Sequence, residues 1–150
     1  MSSISSAVYL GVAGGLLVKG VHIAIDESFG VPGIPEVARC FKEDHAGYST
    51  PFKAMSVFEH VILIPLGEEG FFRVLPSIAI PHPLVNYAIA PTAFGLLHYD
   101  PKQGRLNTPY VLSQIVSGVI FAALLKTGGF SAAFTAHAVS NLYTVCSLLT

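Results

Sequence analysis

Six side chains in this sequence combine the types and spacings that acid–base chemistry requires: Glu68, Glu69, Arg73, His98, His137 and Asn141. In Glu68-Glu69-Gly70-Phe71-Phe72-Arg73, Glu69 and Arg73 stand four apart, hence on one helical face where they can pair. Glu68 points about 100° away and is left to face something else. Phe94 and His98 repeat the one-turn spacing, and so do His137 and Asn141. Singly, each grouping has a plain explanation: a solvated helix end, a histidine bonded to a neighbouring carbonyl, or a His–Asn pair joining helices. Jointly the groupings ask for more. Ionisable groups in apolar helices cost several kcal/mol unless they are paired or lie in a wet cavity. Three helices that each carry polar groups are best explained if those groups converge, each lowering the desolvation cost of the others. A carboxylate, two imidazoles and a carboxamide around one pocket could activate water and hold a developing oxyanion.

In order along the chain, the motifs EEGFFR (Glu68–Arg73), FGLLH (Phe94–His98) and HAVSN (His137–Asn141) read E-E-x-x-x-R, F-x-x-x-H and H-x-x-x-N. This set resembles the CPBP intramembrane proteases, the "CAAX protease and bacteriocin-processing" or Abi group, which includes the Ras-converting CAAX endopeptidase. A phenylalanine before the arginine and a KTGGF turn before the last motif fit the same group, over roughly Val57 to Leu142. Two departures stand out: only one helix precedes the core, and Val74 follows Arg73 where the family often has glycine. The resemblance implies an intramembrane endopeptidase. Glu68 would be the general base, His98 would share and orient the attacking water, and His137 with Asn141 would donate to the oxyanion. Glu69, Arg73 and Phe94 would support the motif helices. A metal version would make Glu68, His98 and His137 three ligands of a catalytic zinc with an open fourth position. The metal-free form is preferred, with no cofactor, because no second acidic residue is evident to orient either imidazole.

The elements that must position these residues follow from composition. The chain has 150 residues, 52% hydrophobic and 11% charged, against roughly 25% charged in a soluble domain. That excludes disorder, a solvated bundle and most soluble enzymes. A net charge of −1 offers no electrostatic surface for nucleic acid. Cys40 and Cys146 are too few and too far apart for a disulfide framework or zinc knuckle and read as free thiols.

Apolar runs approach the length of about 20 residues that a spanning helix needs. Ala7–Ile25 is the first, with no basic leader or A-x-A site, and reads as a retained helix. MSSISSA is too short and uncharged for a transit peptide. Gly11, Gly14 and Gly15 form a small-residue face where a neighbouring copy could dock. A polar loop follows to Lys53, with a short interfacial helix expected at Val37–Lys42. Ala54–Gly67 is the second run; Glu59 and His60 either sit at a helix start near the interface or extend the polar cavity, the former being preferred. Val74–Leu97 holds Pro76, Pro81, Pro83 and Pro91, and splits into a broken stretch up to Pro83 and a helix from about Leu84 to His98. Leu106–Leu125 is stopped by Lys126 and the turn signal Gly128-Gly129, and Thr127 opens the last run.

The expected fold is therefore all-α: a polytopic membrane bundle of about five hydrophobic helices in one domain, 1–150, with a helix at 7–25, a polar loop at 26–53 and a protease-like core at 54–150. With five crossings, Arg39, Lys42, Lys53, Lys102 and Arg105 fall on one side and Lys126 on the other, which puts the N-terminus away from the cytoplasm or its equivalent. One geometric demand remains. Were the second helix to end near Arg73 and the third near His98, a simple hairpin would hold Glu68 and His98 about 15 Å apart. A break between Val74 and Pro83, or a longer third helix, is needed.

The leading function is a membrane endopeptidase acting on prenylated C-terminal peptides, leader peptides or a membrane anchor. The alternative is a catalytically inactive protease-like subunit that serves assembly of a membrane-protein complex. A proton or ion pathway ranks third, since one broken cluster does not make a continuous route. The partners expected are the lipid bilayer and a membrane-associated peptide or complex, with no nucleic acid.

Overall fold

The computed structural model describes residues 3–31, 39, 42–101, 104 and 107–146. Among them the regular structure is entirely helical, with no strand. Helix α1 (Ile4–Ser28) starts at Ser3, whose hydroxyl accepts from the Ser6 amide, and runs on past Ile25. A second rod is assembled from α2 (Thr50–Phe58), α3 (Ile64–Glu69) and α4 (Leu75–Ala79), joined by π turns at Glu59–Leu63 and Gly70–Val74. After a break at Ile80–His82, a π turn at Val85–Ile89 leads into α5 (Ala90–Leu96). The longest helix, α6 (Asn107–Val145), is folded back at Gly129, where φ is +75° and ψ −175°. That backbone costs an L residue steric strain and suits glycine, so the reversal falls within the Gly128-Gly129 signal.

Proline explains the three π turns. Pro65, Pro76 and Pro91 lack an N–H, and their rings clash with the carbonyl four residues back. Each is preceded by a residue that bonds one position further: Ile64 N–H to Glu59, Leu75 N–H to Gly70, and Ala90 N–H to Val85. The widened turns absorb the prolines, and the rods continue.

This moves the end of the second rod. It runs past Arg73 to Ala79, and the hairpin turns at Ile80–His82. Glu68 and His98 then lie at similar distances from the turn, and the 15 Å separation feared from the sequence falls to a few ångströms. The condition behind that separation, a second helix ending near Arg73, is not met, and the break before Pro83 is where the prolines put it.

Helix α1 packs chiefly on α6. Gly11, Gly15 and Lys19 lie against Ala132, Ala136 and Thr144, so α1 runs parallel to the last arm of α6. A Cβ on Gly11 would fall 2.7 Å from the Ala132 carbonyl oxygen, and one on Gly15 2.7 Å from that of Ala136. The glycine face is thus consumed inside the molecule and is not the docking surface expected for a second copy. The interior is made of small residues and a few large ones (Ala132, Ala133, Ala136, Val18, Phe121), while Tyr9, Ile78 and Leu97 are more than 70% exposed. Small and polar inside with large apolar outside is the arrangement of helices packed in lipid. Both α1 and α6 are long and apolar enough to cross a membrane. The short helix expected at Val37–Lys42 falls largely outside the described residues.

Candidate active site

The end of α3 delivers two adjacent carboxylates to different surroundings. Glu69 is fully buried; its Oε1 accepts from His137 Nδ1 at 2.8 Å, and its Oε2 faces Arg73 Nε at 3.7 Å. Glu68 lines a chamber of about 330 Å³. Its Oε2 lies 3.4 Å from His137 Nε2, and its Oε1 3.9 Å from His98 Nε2. One carboxylate therefore touches both imidazoles that the sequence motifs single out.

The imidazole tautomers follow from their other bonds. His98 Nδ1 lies 2.8 Å from the Phe94 carbonyl, which can only accept, so that nitrogen carries the proton and neutral His98 presents the Nε2 lone pair to Glu68. His137 gives its Nδ1 proton to Glu69 and turns Nε2 towards Glu68. The 3.9 Å gap between His98 and Glu68 is too long for a direct hydrogen bond and within the span that one water closes.

Aromatic rings fix this geometry. Phe94, one turn before His98, meets its ring edge-on at 4.6 Å and the His137 ring at 6.0 Å. Phe121 of α6 stacks on His137 at 4.7 Å with planes 16° apart. The buried Arg73 guanidinium nitrogens have no hydrogen-bond partner. Its charge rests on the faces of Phe94, Phe121 and Phe72 at 4.1, 5.5 and 5.9 Å and on the Glu69 ion pair. A Cβ on Gly118 would sit 3.1 Å from Arg73 Nη2, so glycine there lets α6 close over the guanidinium.

Asn141 lines the same chamber, and its Nδ2 donates to the His60 carbonyl at 2.9 Å. A carboxamide has a second N–H to offer. His60 is itself part of the chamber wall. It extends the polar cavity, the second of the two placements the sequence leaves open, from a π turn inside the second rod and not from a helix start.

Sequence reasoning missed the contribution of α1. Lys19, His22 and Asp26 line the chamber together with Glu68 and His137. Lys19 Nζ donates to Thr144 Oγ1 at 2.7 Å, and His22 Nε2 meets Ser117 Oγ at 2.8 Å while Ser117 donates to the Ser113 carbonyl. The signal was present: Gly11, Gly15, Lys19, His22 and Asp26 fall on one stripe at helical spacing.

One argument about metal changes. A second acidic residue does orient an imidazole, since Glu69 holds His137, so the reason given for setting zinc aside does not stand. Among the described residues no group of three His, Cys, Asp or Glu is gathered to hold a metal ion.

Fold and site together define a class: an all-α bundle with large apolar side chains outward and an acid–imidazole centre inside. The sequence matches the family described as Type II CAAX prenyl endopeptidase Rce1-like over residues 50–143, and the chain belongs to that family. It therefore has the CAAX-protease-like fold of a membrane-embedded family. The matched segment contains all three motifs and leaves α1 outside. Neither a curated protein nor a solved structure matches the chain.

Proposed function

We propose that the chain is a multi-pass intramembrane endopeptidase that hydrolyses a peptide bond of a membrane-associated, prenylated C-terminal peptide. The observation that carries this reading is the Glu68 carboxylate lying 3.4 Å from His137 Nε2 and 3.9 Å from His98 Nε2. A water between Glu68 and His98 donates one hydrogen to each. As its oxygen attacks the carbonyl carbon, Glu68 takes the proton, and it later delivers that proton to the departing amine. The carbonyl oxygen becomes an oxyanion facing His137 and Asn141. His137, its Nδ1–H donated to Glu69, can donate through Nε2 only as an imidazolium, holding that second proton before the attack and keeping it throughout while Glu69 balances the charge; the Asn141 carboxamide supplies a second donor. Glu69 is thus more than a partner for Arg73: it holds the oxyanion donor in place.

The test is cleavage of a farnesylated CAAX peptide by the reconstituted protein. Glu68→Gln and His98→Ala should each lower the rate by about 10²–10⁴-fold while membrane insertion is unchanged. Activity should persist under chelation in protein free of bound metal. A wild-type protein that cleaves nothing and co-purifies stoichiometrically with a membrane complex would replace this reading with the inactive-subunit one.

A further inference from the structure

The hydrolytic centre occupies one part of the chamber; another wall carries a cation that the chemistry above does not use. Lys19 is 7% exposed and lines the same chamber as Glu68. It comes from α1, outside the segment shared with the family, and its bonded partner Thr144 also lies outside residues 50–143. An ammonium has three donors, and the Thr144 hydroxyl takes one at 2.7 Å. The other groups on this wall are Asp26, two turns further along α1, and His22, whose Nε2 is engaged with Ser117. The Tyr143 ring lies beneath the ammonium at 5.8 Å. A buried lysine in lipid-embedded surroundings is costly unless negative charge compensates it, and the Asp26 carboxylate supplies part of that compensation.

We infer that Lys19 forms an anchoring subsite for the free α-carboxylate of the peptide substrate, so that the chamber reads the chain end and the hydrolytic centre cuts at a set distance from it. This rests on the proposed hydrolysis. Thr144 stands two turns beyond His137 on α6, about 10 Å along the axis. An extended peptide covers about 3.3–3.6 Å per residue, so a chain end of roughly three residues bridges the oxyanion donors and the ammonium. The subsite would favour substrates with a terminal carboxylate over those blocked as amides and would fix the register of cleavage.

Binding separates this inference from hydrolysis. The probe is a fluorescent farnesylated peptide of cysteine followed by three residues, made as free acid and as carboxamide, titrated against full-length Glu68→Gln protein in lipid nanodiscs. The acid should bind at least ~10-fold tighter, as expected for a charge-assisted contact. Adding Lys19→Met should erase the preference, and adding Lys19→Arg should retain it. Equal binding of acid and amide, no binding of either, or a preference that survives Lys19→Met overturns the inference. Should Lys19→Met fail to reconstitute, the acid–amide comparison on Glu68→Gln still decides. Wild-type protein that cuts acid and amide equally removes the subsite and leaves the hydrolysis. A clear acid preference in a protein that cuts nothing removes the hydrolysis and leaves the subsite.

Discussion

Glu68 and Glu69 are neighbours in sequence, yet a rotation of about 100° gives one a chamber and the other a dry core. Glu69 bonds His137 and pairs with Arg73, so Glu69→Gln should reduce cleavage without touching the attacking water. The expected signature is a fall in kcat with KM little changed, measured on the same farnesylated peptide. Arg73→Met leaves the Glu69 carboxylate buried without its cation and should lower stability by about 3–5 kcal/mol. Glu69→Gln combined with Arg73→Met should cost less than the two singles summed, a coupling that unfolding in detergent would read. The one-turn spacings were legible because residues four apart share a face whatever the tertiary fold. The bond from Glu69 to His137 was not, because its two ends come from separate helices and helical periodicity is silent about which faces meet.

Close helix approach makes this chamber possible, and glycine marks where it happens. A Cβ on Gly95 would fall 2.3 Å from Ile115 Cγ1 and 2.8 Å from the Val111 carbonyl oxygen, whereas one on Gly67 would meet nothing within 4 Å. Gly95→Ala should therefore push α5 from α6, costing about 1–3 kcal/mol and slowing cleavage, since Phe94 and His98 flank that position. Gly67→Ala should raise stability by up to about 1 kcal/mol through helix propensity; thermal unfolding of the pair makes the comparison. Composition and hydrophobic runs showed that there would be several apolar helices, and Gly128-Gly129 showed where one reverses. The prolines were harder to read. Pro76 looks like a break in sequence, but a π turn carries the rod through it, as another does before Pro91 inside the helix expected from Leu84, and the chain turns at Ile80–His82. Propensity says that proline disturbs a helix; the packing around it decides whether the helix ends.

The rods alternate in direction, with α1 parallel to the last arm of α6. In the proposed multi-pass orientation the C-terminal end of α6 shares a side with the segment that holds Arg39, Lys42 and Lys53. Cys146, free and exposed, should then react with a membrane-impermeant maleimide only from that side of sealed vesicles, tested in a Cys40→Ser background. The charge bias on which this proposed orientation rests was legible because Lys and Arg are few. The role of α1 was not, because a lysine and a histidine inside an apolar run read as interruptions until α6 is seen beside them. The two reversals at the other end, Ile80–His82 and Gly129, are nearly loopless. In the proposed multi-pass arrangement each hairpin can therefore enter a bilayer as a preformed pair with almost no polar loop to drag across, so assembly of this protein would ask little of any translocation motor.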